Sequence, residues 1–449
     1  TGTFQAKDDP QSGSLKLTKS SSNPAVTNDI KAYALSGAVY TVYSDNACTK
    51  QVAVLTVGKN GVSNTAELPV GTYYVKETTA PKGYTVDGAK HTVKVEADKT
   101  TDLKVSETPL MAPIDIVVKK VDAETGKAKP QGDASFAGAE YTVKFYDGQY
   151  KTGEEADASN TLKKTWVFKT DANGVIHFTA NQKISGDDFY LDANGNPALP
   201  IGTVTIQETN APADGSYLMD KTVYVRNIAQ DGQTVTSYVI ANSPEQPIKG
   251  TVKIFKTTPT GVEQTPTPEE GAAFQVFLKS AGSYDAAKES ERDYLVINKE
   301  GYAESKLLPY GEYVIHQVSG WKGSVYVSDF TSEITKDGQV KNHTVNNDRF
   351  YSFLRIVKVD QITGETVPQK DVGFKVYDPN GKVVVYKDSD TWYSDEDGIV
   401  TLPFMLEYGE GYTVEEVTAP KGYLLPTERI AFDVLPETAQ KIDDLNMIE

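Results

Sequence analysis

Four lysines end short alternating strands, and their positions suit amine chemistry inside a protein. They are Lys19, Lys120, Lys256 and Lys358, each two residues after an apolar side chain. Residues two apart in a strand lie on the same face, so the sequence predicts that these lysines point inward. A lysine that is desolvated among apolar groups has a lowered pKa and can act as a neutral nucleophile.

A second recurring position supplies an acid. Three copies of a strand-and-turn segment carry Glu77, Glu208 and Glu416 on the predicted inner face, whereas the fourth copy has Gln317. Burial raises the pKa of a glutamate, which can then transfer protons, and a glutamine cannot do this. Buried lysines and glutamates are costly unless they are paired, so an ion pair and a covalent bond are the two interpretations.

A covalent bond also needs an electrophile, namely a side-chain carbonyl on a neighbouring strand. The end of each repeat offers a candidate, and these are Glu107, Asn242, Asn347 and Asn446. Asp444 competes with Asn446 in the last repeat. Glu107 stands where the other repeats are predicted to have asparagine.

The elements that must position these residues recur four times. Each repeat consists of period-2 runs separated by turn signals such as Asn60-Gly61, and helical periodicity is missing. The predicted fold is all-β, with four tandem Ig-like or prealbumin-like β-sandwich domains in a rod. The predicted bounds are 1–13 for a leader or linker, 14–110 for domain 1, 111–246 for domain 2, 247–348 for domain 3 and 349–449 for domain 4.

Domain 2 is predicted to have enlarged loops. Its lysine and its acid are 88 residues apart, against 58 in domains 1 and 4. The additional residues fall near 148–164 and 182–198, which are rich in Gly, Asp and Asn and are typical of long loops.

Composition excludes several function classes. The 449 residues include 45 Lys and Arg against 62 Asp and Glu, a net charge of −17 that argues against nucleic acid and anionic membrane surfaces. Apolar runs are too short to span a membrane. One cysteine and four scattered histidines predict neither an intrachain disulfide nor a metal site, and no cofactor is predicted. Phosphate loops and nucleophile elbows are missing, so we expect no enzyme beyond a single self-directed reaction.

The upstream lysine, the turn Glu77-Thr78-Thr79-Ala80-Pro81 and the terminal Asn242-Ser243-Pro244 resemble Cna B-type domains, also called SpaA-like or prealbumin-like. The resemblance implies that Lys attacks Asn, Glu catalyses, ammonia leaves, and an isopeptide bond ties the first strand to the last. It assigns full sets to domains 2 and 4, which are Lys120 with Glu208 and Asn242, and Lys358 with Glu416 and Asn446. It leaves open whether domain 1 (Lys19, Glu77, Glu107) and domain 3 (Lys256, Gln317, Asn347) react.

Such domains occur in surface adhesins and sortase-assembled pilins of Gram-positive bacteria. The resemblance therefore implies an extracellular, cell-wall-anchored stalk or pilin-like shaft whose partners are sortase and other pilus or cell-wall components. A sortase-linking motif and an anchor signal are not visible in this chain. The alternative is an adhesin that binds a host receptor or glycan with the loops of domain 2.

Overall fold

The structure is a computed structural model that describes residues 5, 7–236 and 240–449. Part of the predicted leader, residues 1–4 and 6, lies outside the described residues, as do Tyr238 and Val239 of the predicted terminal strand of domain 2. Strands dominate the secondary structure, which confirms the all-β prediction. Within the described part of the chain, no helix has the length and apolar character needed to cross a membrane.

The chain divides into two compact units, Thr1–Pro247 and Ile248–Glu449. The four domain bounds and the rod stay predictions, and the names domain 1 to domain 4 are kept here for the predicted ranges. Each range contains two larger sheets, and the buried side chains lie between them.

Domain 1 has sheets of strand order β4-β1-β7 and β3-β2-β5-β6. Its elements are β1 (Ser12–Ser21), α1 (Pro24–Thr27), β2 (Val39–Tyr43), β3 (Gln51–Thr56), β4 (Ala66–Pro69), β5 (Gly71–Thr79), β6 (Lys90–Val95) and β7 (Thr100–Glu107). Leu17, Tyr40 and Val75 are buried in the core between the two sheets, as the alternating pattern of each strand requires.

Domain 2 has sheets of order β13-β11-β10-β15-β17-β18 and β12-β9-β19-β16, and β14 pairs with β8. Its elements are β8 (Ala112–Pro113), β9 (Ile116–Asp122), β10 (Glu140–Tyr146), α2 (Gly153–Ala158), β11 (Leu162–Lys169), β12 (Val175–His177), β13 (Lys183–Gly186), β14 (Ala198–Leu199), β15 (Gly202–Asn210), β16 (Tyr217–Leu218), β17 (Val223–Asp231), β18 (Thr234–Thr236) and β19 (Ala241–Pro247). The strand β13 and the helix α2 lie in the predicted long loops.

Domain 3 is built around one long strand, β20, which pairs with β21, β24, β25 and β29, and its second sheet has the order β23-β22-β26-β28. Its strands are β20 (Lys249–Thr260), β21 (Thr265–Pro268), β22 (Ala273–Leu278), β23 (Arg292–Val296), β24 (Tyr302–Glu304), β25 (Leu308–Pro309), β26 (Gly311–Ser319), β27 (Ser324–Val325), β28 (Phe330–Ile334), β29 (Gln339–Asn346) and β30 (Asp348–Arg349). Two single-turn 3-10 helices cover Lys279–Ala281 and Glu289–Glu291.

Domain 4 has a sheet of order β34-β31-β39-β38, with β35 also on β31, and a second sheet of order β33-β32-β36-β37. Its strands are β31 (Tyr351–Val357), β32 (Gly373–Tyr377), β33 (Trp392–Tyr393), β34 (Ile399–Thr401), β35 (Leu406–Glu407), β36 (Gly409–Thr418), β37 (Ile430–Val434), β38 (Gln440–Ile442) and β39 (Leu445–Ile448).

The first and last long strands of every domain pair in parallel, and this pairing positions the candidate sites. The register places Lys19 opposite Val105, Lys120 opposite Ser243 and Lys256 opposite Val345. A residue two positions beyond the register partner lies on the same face as the lysine. In domain 4 the ladder contains Phe353–Met447 and Leu354–Ile448.

Candidate functional site

Domain 3 assembles a lysine, a glutamate and an asparagine in its interior. Asn347 follows β29, two residues beyond the register partner of Lys256, and both side chains are 0% exposed. Lys256 Nζ lies 2.8 Å from Glu269 Oε2. Asn347 Nδ2 donates to the same oxygen at 3.0 Å. One carboxylate oxygen of Glu269 therefore contacts both the amine and the amide nitrogen.

The electrostatics of this site hold Lys256 and Glu269 as a buried ion pair. Burial lowers the pKa of Lys256. Burial also opposes ionisation of Glu269, but hydrogen bonds from Lys256, Thr258 and the backbone N–H of Trp321 hold the pKa of Glu269 below its ordinary value. The ground state is thus an ion pair, and moving one proton from Nζ to Oε2 gives a neutral amine beside a carboxylic acid.

Glu269 is the functional residue that sequence reasoning missed, because it is not in the strand where the other repeats carry their acid. Gln317 occupies that strand position and donates to Ser319 O at 3.1 Å. The turn after Gln317 also differs in sequence from the corresponding turn of domain 1. A Cβ on Gly320 would lie 2.6 Å from Glu269 Oε1, so a larger residue here would push the carboxylate from its position. The N–H of Trp321 then donates to Oε1 at 2.7 Å, where the turn of domain 1 has Pro81 and no donor.

Domain 1 brings together the three predicted residues in a buried cluster. Lys19 Nζ lies 2.8 Å from Glu77 Oε1 and 2.8 Å from Tyr40 OH, and it also contacts Glu107 Oε1. Burial and a hydrogen bond with Glu77 raise the pKa of Glu107 to about 8, although Lys19 opposes the shift. The inward orientation of Lys19, Glu77 and Glu107 follows the parity of their strands.

Domain 2 has the same kind of cluster but with a different partner from the predicted one. Lys120 Nζ lies 2.6 Å from Glu208 Oε1 and 2.8 Å from Glu245 Oε2. The three side chains have no exposed surface. Burial raises the pKa of Glu208 and raises that of Glu245 to about 7. The site therefore holds one amine between two carboxyl groups.

The predicted pairing of Asn242 with Lys120 is wrong. Asn242 is exposed and pairs in register with Lys119, so the structure does not bring it to Lys120. Ile240, two residues before Asn242, is also on the exposed side, with 48% exposure, and precedes β19. The sequence feature that could have identified Glu245 is the ending Glu245-Gln-Pro, which matches Glu107-Thr-Pro in domain 1.

In domain 4 the predicted lysine and acid are in contact, but the predicted asparagine is distant from the lysine. Lys358 Nζ lies 2.5 Å from Glu416 Oε2, and 17% of the Lys358 side chain is exposed. Asn446 Nδ2 donates to Tyr351 O at 3.0 Å. The ladder sets Asn446 opposite Ser352, about 20 Å along the strand from Lys358. The predicted pairing of Lys358 with Asn446 is therefore wrong. Asp444, which competed with Asn446 in the prediction, lies in the β38–β39 turn at φ 65°.

The enlarged loops of domain 2 contact domain 1 within the first compact unit. Lys163 Nζ lies 2.8 Å from Asp29 Oδ1, and Tyr190 OH donates to Asp29 Oδ2 at 3.0 Å. Burial opposes ionisation of Asp29, but these two hydrogen bonds outweigh it and hold the pKa of Asp29 below its ordinary value. Leu191 O accepts a hydrogen bond from Asn23 at 2.8 Å. The loops thus form part of a joint between the two domains.

The joint also contains a shared apolar core. Side chains from the segment around α1, including Val26, Ile30 and Tyr33, belong to the same buried cluster as Trp166 and Leu199 of domain 2. Because a continuous core couples the elements that share it, the segment around α1 and the core of domain 2 are expected to open together, apart from the separate core of domain 1.

Replacing Ile30 with alanine, Ile30→Ala, is expected to weaken this joint by about 2–4 kcal/mol, because Ile30 is 1% exposed and its truncation leaves a cavity. Amide hydrogen exchange of the full chain should then be faster in residues 182–201 of domain 2. Leu55→Ala, in the separate core of domain 1, is the matched control and should leave those amides protected. Unchanged protection in Ile30→Ala would show that the two domains open independently.

Comparison with known proteins identifies two segments of the chain. A family model described as the SpaA prealbumin-like fold domain matches residues 14–109 and 353–446. These two segments are therefore SpaA-type prealbumin-like domains, which confirms the resemblance for domains 1 and 4. None of the curated proteins with which the chain was compared matches it.

Three solved structures illustrate what the chain is similar to. The Bacillus anthracis TIE protein is 23% identical over 75% of this chain, with a TM-score of 0.49, and the chain spans 51% of that structure. BcpA, the major pilin subunit of Bacillus cereus, is 14% identical over 76% of this chain and 100% of its own, with a TM-score of 0.30. The shaft pilin SpaA of Lactobacillus rhamnosus GG is 17% identical over 41% of this chain and 93% of its own, with a TM-score of 0.20.

Proposed function

We propose, because residues 14–109 and 353–446 are SpaA-type prealbumin-like domains, that this chain is a structural stalk or pilin-like shaft segment at the surface of a Gram-positive bacterium. An isopeptide bond between Lys256 and Asn347 locks its third domain. Its location is extracellular and cell-wall anchored, and its partners are sortase and other pilus or cell-wall components. The chemistry is a single self-directed reaction during maturation.

The observation that carries the bond is the shared oxygen of Glu269. Oε2 lies 2.8 Å from the attacking nitrogen of Lys256 and 3.0 Å from the leaving nitrogen of Asn347. The carboxylate takes a proton from Nζ, the neutral amine attacks Cγ of Asn347, and the carboxyl group delivers that proton to Nδ2 and takes a second proton from Nζ. The Nζ–Cγ bond forms, the Cγ–Nδ2 bond breaks, and one ammonia leaves.

The position of this bond suits a protein under tension. β20 and β29 are parallel, so the start of the first strand and the end of the last strand lie at opposite ends of the sheet. A bond from Lys256 to Asn347 carries force directly between these two strands. The residues between them are then outside the loaded path, and the domain cannot be extended beyond the bond.

The contacts of the enlarged loops support a stalk. Lys163, Tyr190 and Leu191 contact domain 1 through Asp29 and Asn23, and this gives the loops a structural role in a joint. Binding of a host receptor or glycan by these loops has no supporting contact among the described residues, and we propose no second function.

The intact mass of the purified full chain and a peptide map test the proposed function. We expect a linked pair of peptides, one containing Lys256 and the other Asn347, at the sum of their masses less one ammonia. Recovery of the two peptides separately, each at its unmodified mass, would contradict the proposal.

A further inference from the structure

In domains 1 and 2, two glutamates contact each buried lysine, and no asparagine among the described residues forms a hydrogen bond with it. We propose, as an extension of the self-locking function above, that Lys120 condenses with Glu245 and Lys19 with Glu107. Each reaction gives a side-chain amide and releases water. The chain would then contain two kinds of internal cross-link, formed from an asparagine in domain 3 and from glutamates in domains 1 and 2.

The geometry in domain 2 brings the reacting groups into contact. Lys120 Nζ lies 2.8 Å from Glu245 Oε2, and Glu208 Oε1 lies 2.6 Å from the same nitrogen. The other oxygen, Glu245 Oε1, is 2.8 Å from the Ser243 hydroxyl and accepts from Tyr141 OH at 3.3 Å. These hydroxyls hold Oε1, which stays as the carbonyl oxygen, and leave Oε2 beside the amine and free to take the proton with which it departs.

The charge of the cluster supplies the protons that condensation needs. One ammonium and two carboxylates would give a buried net charge of −1, which is costly in a dry interior. Binding one proton removes this charge, in line with the raised pKa of Glu208 and the value of about 7 for Glu245. Asp220 borders the cluster, with its Oδ2 2.9 Å from the Ser243 hydroxyl, and it also disfavours additional negative charge. The neutral cluster is equivalent in protons to a free amine between two carboxylic acids.

The reaction then needs no additional reagent. Nζ of Lys120 attacks Cδ of Glu245, and Glu208 takes a proton from Nζ and delivers it to Oε2. The Nζ–Cδ bond forms and the Cδ–Oε2 bond breaks. One water leaves, and it contains Oε2, the carboxyl proton and one proton from the amine.

Domain 1 has the same residue types around its lysine, although there one oxygen, Glu107 Oε1, contacts both the amine and the tyrosine hydroxyl. Lys19 contacts Glu77 Oε1 at 2.8 Å and also contacts Glu107 Oε1. Tyr40 lies 21 residues after Lys19, as Tyr141 does after Lys120, and its hydroxyl is 3.4 Å from Glu107 Oε1. Two clusters with the same lysine, tyrosine and paired glutamates argue that the arrangement serves the reaction.

Peptide mapping of the full chain tests this proposal. We expect two linked pairs, Lys120 with Glu245 and Lys19 with Glu107, each at the sum of the peptide masses less one water. The variant Glu245→Gln should form the same link with loss of ammonia, so its linked product has the mass of the wild-type product. Glu245→Ala should give separate peptides, and it keeps the balanced pair of Lys120 and Glu208 that allows folding.

The outcomes separate this proposal from the function proposed above. A linked pair in one domain supports condensation there and overturns it in the other domain. Separate peptides in both domains overturn it altogether, even if Lys256 and Asn347 are linked. Loss of the Lys256–Asn347 link alone would contradict the proposed function and leave condensation in domains 1 and 2 supported.

Discussion

Replacing Glu269 with glutamine, Glu269→Gln, is expected to leave Lys256 and Asn347 as separate side chains. After correction for the substitution itself, the full chain should then be heavier than the wild type by the mass of one ammonia. The reason is that a glutamine has no basic oxygen that can take the proton from Nζ and deliver it to the leaving amide nitrogen. Mass spectrometry of the full chain and of its linked peptides provides the measurement.

Gln317→Ala is the matched control for this variant. Gln317 occupies the strand position at which Glu77, Glu208 and Glu416 lie in the other domains, yet it contacts Ser319 and Val327. The link should therefore form fully in Gln317→Ala. A link that forms in Glu269→Gln at the wild-type yield would show that Glu269 has no part in the reaction. Circular dichroism would confirm that both variants are folded.

The sequence was sufficient for features that depend on alternation within one strand. Lys19 and Lys120 follow Leu17 and Val118 at a distance of two, and all four side chains are buried. The same rule places Glu208 inward. The rule holds because these residues belong to long strands whose two faces are distinguished by the core.

Alternation within one strand could not predict which residues lie opposite each other on two paired strands. Asn446 lies 88 residues after Lys358, as Glu107 does after Lys19, but the β38–β39 hairpin and the short ladder of domain 4 set it opposite Ser352. Equal spacing along the chain therefore does not establish equal register.

Glu269 shows a different limit, because its role depends on a contact between separate elements. It precedes Gly271-Ala272, at the position that Leu35 occupies before Gly37-Ala38 in domain 1. Alignment of the repeats thus places it where an apolar residue is expected. The changes to Gln317 and Gly320 are visible in the sequence, but only the fold shows that Gly320 lies against the Glu269 carboxylate.

Replacing Asn347 with alanine, Asn347→Ala, is expected to lower the thermal midpoint of domain 3 by roughly 20 °C. The bond closes a loop of roughly 90 residues, and a cross-link of that length restricts the unfolded chain by about 4–5 kcal/mol. The ion pair between Lys256 and Glu269 remains in this variant, so the buried charge stays balanced. Proteolysis of the full chain at increasing temperature, with cleavage sites assigned by mass spectrometry, measures the midpoint for residues 247–348.

Asn346→Ala separates the effect of the bond from that of the strand end. Asn346 is the neighbouring residue, its side chain is exposed, and its Oδ1 contacts the hydroxyl of Thr257. Loss of this surface hydrogen bond should cost about 1 kcal/mol and leave the link intact. Equal midpoints for the two variants would mean that no covalent tie stabilises domain 3. A large difference between them, together with the missing link in Asn347→Ala alone, assigns the stability to the bond, because the two substitutions remove the same functional group one residue apart.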